Sequence, residues 1–77
     1  MVDYTKLIEI NPKTMMGKPV IRGTRLTVEM ILEELSAGTS IIDLANAHAR
    51  LTEKAVYAAL AFAADSLKGE KSYPIAV

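Results

Sequence analysis

Apolar positions change their spacing along this chain, and the change divides it into an extended front and a helical back. Up to about residue 26 they come in short runs broken by Asn, Pro and Gly, and from Val28 onward they recur at intervals of three and four. Lys6-Leu7-Ile8-Glu9-Ile10 reads as a short strand ended by Asn11-Pro12, because proline removes a ladder donor and Asn-Pro favours a turn. Lys13 to Gly17 is a loop. Pro19-Val20-Ile21 and Leu26-Thr27-Val28 then flank Gly23-Thr24, which predicts a hairpin with a primed two-residue turn carrying Gly first. Two or three such short strands cannot stand alone.

Three helices follow. Val28, Ile31, Leu32 and Leu35 form one apolar stripe with Glu29, Glu33 and Glu34 on the wet side, Thr27 at the N-cap and Gly38 as the terminating residue. Leu26 and Ile31 are spaced as a hydrophobic staple. Ser40 with Asp43 resembles a capping box for a short second helix whose buried stripe is Ile41, Leu44 and Ala45, ending near His48. Thr52 caps a third helix running to about Leu67, with Leu51 and Val56 repeating the staple and Gly69 as the stop signal. Its sequence from Ala55 to Ala64 is apolar nearly all round, so it should be buried on more than one side. One face meets the first two helices. Alanine projects so little that the other face permits a symmetric helix pair or the hairpin of a partner.

This pattern predicts an α+β, mostly α fold: a short N-terminal β-hairpin unit followed by a three-helix, helix-turn-helix-like (homeodomain-like) bundle. A single domain spans residues 1–69, with 1–26 as the extended arm and 27–69 as the bundle. Residues 70–77 form a tail that Pro74 keeps from being helical. With 77 residues the chain is at the small end for an independent core, and with no Cys and one His it lacks disulfides and a metal cluster as supports. A hydrophobic fraction of 51% leaves apolar surface in need of a partner, so a homodimer or heteromer is expected. No long uncharged apolar window and no secretory-type leader is present, which predicts a cytoplasmic protein away from membranes.

Net charge is zero, yet unevenly laid out. Residues 1–26 carry five cations against two carboxylates, and residues 27–77 carry four against seven. Such asymmetry serves either a basic surface for phosphates or complementary faces within a dimer. Arg22 and Arg25 bracket the hairpin turn and could hold a phosphate bidentately, with Lys18 as a point charge beside them. The competing role is an ion pair from one Arg to Glu29, Glu33 or Glu34 of a neighbouring helix. Helices two and three, joined by a short connection, have helix-turn-helix proportions, which would turn Thr52, Lys54 and Tyr57 toward a duplex with Arg50 on a phosphate. Glu53, Ala58 and Ala61 at neighbouring positions are poor base readers, and tri-helical core packing is the alternative.

Gly17-Lys18 is no phosphate loop, since Pro19 stands where Ser or Thr is required. His48 suits the negative end of the second helix, Asp43 reads as a cap and Asp65 as a surface charge. No nucleophile–base pair or carboxylate dyad is spaced for catalysis, so neither an enzyme nor a cofactor is expected. Tyr73, Pro74, Ile75 and Val77 form an extended apolar strip that could add a strand to a partner's sheet or lie in its groove, against the alternative of a frayed terminus.

Gly17-Lys18-Pro19-Val20-Ile21 followed by Gly23-Thr24-Arg25, with Ile8-Glu9-Ile10-Asn11-Pro12 before and Leu51-Thr52 through Ala59-Leu60-Ala61-Phe62-Ala63-Ala64 after, resembles the family labelled domain of unknown function 433, which includes VapB-type antitoxins. The resemblance covers roughly Lys6 to Leu67. It implies a small helix-turn-helix-like domain, often encoded beside a PIN-like nuclease toxin. One departure concerns Met16, which stands where relatives often carry Gly. The implied function is an antitoxin of a type II toxin-antitoxin pair, which represses its own operon as a dimer and masks a nuclease toxin. The alternative is a non-catalytic homodimeric interaction module without DNA binding.

Overall fold

The computed structural model describes residues 3–69. Strand β1 (Ile8–Glu9) pairs antiparallel with β2 (Val20–Ile21), Ile8 opposite Ile21 and Glu9 opposite Val20. Three helices follow: α1 (Val28–Ser36), α2 (Ile41–Ala47) and α3 (Glu53–Lys68). This is an α+β, mostly α fold, as the periodicity predicts. Among the described residues no helix is long and apolar enough to cross a membrane.

Each helix begins where a hydroxyl can satisfy a backbone donor that the helix itself leaves free. Thr27 Oγ1 accepts from Met30 N, Ser40 Oγ from Asp43 N and Thr52 Oγ1 from Ala55 N, each at 3.0 Å. Helix α1 ends in a Schellman arrangement: Thr39 N donates to Glu34 O and Gly38 N to Leu35 O, both at 3.1 Å. Gly38 takes φ +98° there, which a side chain would resist.

The hairpin differs from expectation in its turn. Thr24 N donates to Ile21 O at 3.0 Å, so the central residues are Arg22 and Gly23, and Gly23 supplies the positive φ (+79°) at the third position rather than the second. The Thr24 hydroxyl decides this register, donating to Ile21 O at 2.7 Å and accepting from Leu26 N at 3.0 Å. The returning arm makes a single bridge, Val20 to Thr27, because Thr27 is already committed to capping α1. Likewise β1 is confined to Ile8–Glu9. Lys6 and Leu7 instead form a turn in which Leu7 N and Ile8 N both donate to Tyr4 O at 2.9 Å.

The core lies between the small sheet and the helices. Ile8, Ile21, Val28, Ile31, Leu44, Leu51 and the alanine-rich side of α3 (Ala55, Val56, Ala58, Ala59) form one cluster, with Leu26, Leu32, Leu35, Ile41 and Phe62 packed around it. Of the two staple pairs, Leu51 and Val56 both belong to the cluster, and Leu26 packs against the cluster that holds Ile31. Tyr4 closes one side, its ring edge-on to Phe62 with centroids 5.4 Å apart.

Met15, Met16 and Gly17 make a turn in which all three residues have positive φ, +49°, +58° and +81°. Left-handed backbone costs a residue with a Cβ roughly 1–2 kcal/mol. The Met16 side chain is 93% exposed and returns no packing for that cost. Met16→Gly is therefore expected to raise unfolding free energy by about 1 kcal/mol, measured by urea denaturation. Ala59 is fully buried, and Ala59→Leu should lower stability by roughly 2 kcal/mol through overpacking between α3 and its neighbours.

Candidate nucleic-acid interface

The cations nearest the hairpin are drawn to different partners. Lys18 Nζ lies 2.9 Å from Glu29 Oε1 in the first turn of α1, and the carboxylate holds the ammonium group above its ordinary ionisation range. Arg22 reaches back to the N-terminal segment, its Nε donating to Lys6 O at 3.0 Å while its guanidinium stands 3.6 Å from Glu9 Oε1. The ion pair from the hairpin to α1 is thus made by Lys18 rather than by an Arg. Arg22 ties the turn to the segment before β1, and Arg22 N also donates to Leu7 O at 2.8 Å.

Arg25 is placed otherwise. Together with Arg50 and His48 it lines an open groove of about 690 Å³ whose lining also includes Val20, Leu26, Ala47, Gly23, Thr24, Thr14 and Glu9. Arg50 Nη1 donates to Gly23 O at 2.9 Å, so the connection between α2 and α3 is hydrogen-bonded to the hairpin turn. The remaining guanidinium donors of Arg50 stay available at the surface, and Arg25 forms no ion pair among the described residues. Among the described residues Glu9 is the one carboxylate on the groove, and its negative charge faces the Arg22 guanidinium. His48 caps the end of α2.

Thr52, Lys54 and Tyr57 occupy the cap and first two turns of α3 and are exposed, but none of them lines the groove. The Thr52 hydroxyl oxygen is engaged as the N-cap acceptor. The structure therefore joins Arg25 and Arg50 in one place, leaves Lys54 and Tyr57 outside it at exposed positions of α3, and engages Lys18 and Arg22 in ion pairs. Tyr73, Pro74, Ile75 and Val77, assigned to partner binding, lie outside the described residues.

Sequence reading passes over Tyr4 and treats Asp65 as a surface charge. In the structure Tyr4 Oη donates to Asp65 Oδ2 at 2.8 Å, which pins the chain's start to the far end of α3. No local pattern links residues 61 positions apart. A second apolar groove, about 440 Å³, lies between α1 and α3 and is lined by Val28, Leu32, Phe62, Ala63 and Leu67.

A short two-stranded antiparallel element followed by three helices, with the connection between the second and third hydrogen-bonded to the hairpin turn, is the architecture that positions these residues. The chain belongs to the family described as protein of unknown function (DUF433), which matches residues 8–63. None of the curated proteins matches it. A crystal structure of a DUF433 member protein from Anabaena variabilis ATCC 29413 shares the fold, with a TM-score of 0.78 at 23% identity. The match covers 83% of this chain and 63% of that one, so the present chain spans less than two thirds of the longer protein.

Donation to Asp65 holds the Tyr4 hydroxyl above its ordinary ionisation value of 10.0, chiefly through the hydrogen bond and then through burial and the carboxylate's charge. A folded value above the unfolded one means that this stabilisation is complete below pH 10 and disappears as pH rises through the higher folded value. Tyr4→Phe should accordingly be less stable than the parent at neutral pH, and the gap should close in alkaline solution, as read from denaturation midpoints across pH.

Proposed function

We propose that the protein is a non-catalytic, dimeric DNA-binding antitoxin, acting in the cytoplasm to repress its own operon while it masks a PIN-like nuclease toxin. The observation that carries the DNA reading is the groove in which Arg25 and Arg50 face the same open space although 25 positions separate them in the chain. Arg50 is already fixed by Gly23 O, so its planar fork is oriented before a ligand arrives. Two guanidinium groups with a histidine between hairpin and helix suit a backbone phosphate. Thr52 and Lys54 at the start of α3 then lie on the same end of the molecule as Arg50. The toxin partner rests on the family resemblance together with the apolar strip in residues 70–77.

A neutral chain with two arginines on the groove gives a modest phosphate contribution, so binding should be salt-sensitive and weak unless two copies contact DNA together. The second reading, a homodimeric module without DNA binding, is favoured by one feature: the outer face of α3 carries Tyr57, Leu60 and Leu67, which are poor base readers.

Titration of labelled upstream DNA at several salt concentrations separates the two. Arg25→Ala and Arg50→Ala are each expected to weaken binding uniformly across sequences and to reduce the salt slope by about 1. Lys18→Ala should leave affinity nearly unchanged, since Glu29 holds that ammonium group. Salt-independent retention, or equal effects of all three substitutions, would refute the groove. Co-purification with the product of an adjacent nuclease-like reading frame tests the antitoxin role separately.

A further inference from the structure

The outer face of α3 is apolar and bounded by opposite charges. Leu60, Ala64, Tyr57 and Leu67 recur at three- and four-residue intervals and share a stripe within about 100° of the helix circumference. Tyr57 is 48% exposed and Leu67 77% exposed, while Leu60 is partly exposed and Ala64 half-buried. Glu53 lies at the start of the same stripe and Lys68 at its end, both exposed and both outside the ion pairs formed among the described residues.

We propose that this stripe docks on the same stripe of a second copy, the two α3 helices running antiparallel about a two-fold axis near Leu60 and Ala61. Charge selects the occupant and its direction. In an antiparallel pair centred there, Glu53 of each copy falls opposite Lys68 of the other, whereas a parallel pair would set Glu53 on Glu53 and Lys68 on Lys68. Antiparallel packing also opposes the two helix dipoles favourably. In that register the Tyr57 ring of one copy meets Ala64 of the other, a large side chain over a small one, and the two Leu60 side chains meet at the axis. A two-fold arrangement makes the contact self-complementary, so one stripe suffices for both copies.

This assignment deepens the dimer reading given above and rests on it. It also gives Tyr57 to the second copy and leaves DNA contact to Arg25, Arg50 and Lys54, because one helix face cannot serve a mate and a major groove together. One helix pair is a small interface, so the dimer should dissociate on dilution.

Sedimentation equilibrium over a wide concentration range, with thermal melting as a control for folding, tests the geometry. Leu60→Glu should raise the dimer dissociation constant by about tenfold or more. Glu53→Lys and Lys68→Glu should each weaken self-association, and mixing the two variants should restore a heterodimer of parental affinity. The two results together are specific to antiparallel pairing: in a parallel pair each single variant keeps the two like-charge contacts the parent already has, so neither would weaken self-association, and the mixture would bind more tightly than the parent. A parent that is monomeric at every concentration would overturn both the dimer reading and this surface. A parental dimer indifferent to Leu60→Glu and to both charge variants would overturn the α3 geometry alone.

Discussion

Close approach to α3 is the constraint on which the rest of the molecule depends. Ala55, Ala58 and Ala59 place only methyl groups between that helix and its neighbours, and each is at most 2% exposed. Small side chains bring α1, α2 and β1 near enough for Ile31, Leu44 and Val56 to fill the remaining space completely. In a chain with no disulfide, such packing takes the place of covalent support. The arrangement also fixes the polar links at its edges. Tyr4 meets Asp65 because the start of the chain lies along α3, and Arg50 meets Gly23 because the α2–α3 connection lies against the hairpin turn.

The same packing sorts the cations. A local cluster of three around a tight turn looks like a single phosphate site, but charges settle on whatever carboxylate or carbonyl the fold brings near. Glu29 stands in the first turn of α1 beside Lys18, and the carbonyl of Lys6 beside Arg22. What remains for a ligand is Arg25, joined by Arg50 from a distant part of the chain. The candidate groove is thereby lined by the residue of the cluster that forms no ion pair among the described residues. The opposed charges of the two halves of the chain are partly used inside the molecule, in the Lys18–Glu29 bridge, and partly kept outside, at Glu53 and Lys68 on α3.

Among the described residues, left-handed backbone at residues other than glycine is confined to Met15 and Met16. Met15 and Met16 enter left-handed space just before the hairpin, and across this turn Gly17 N and Lys18 N donate to Thr14 O and Met15 O. The cost falls on Met16 as a left-handed φ on an exposed side chain that returns no packing for it.

Helices, caps and their order were legible in the residues, because hydroxyl caps, staples and three-four spacing are local signals that act within a turn or two of backbone. Thr27, Ser40 and Thr52 cap their helices where the pattern puts them, and Gly38 ends α1 as its position requires. The turn register was missed by one residue, since the Thr24 side chain competes with the backbone for the same hydrogen bonds. Tyr4–Asp65, Arg50–Gly23 and the union of Arg25 with Arg50 were decided only by tertiary structure. Those partners are separated by 25 to 61 positions, and sequence spacing carries no information about which distant surfaces a buried alanine face will draw together.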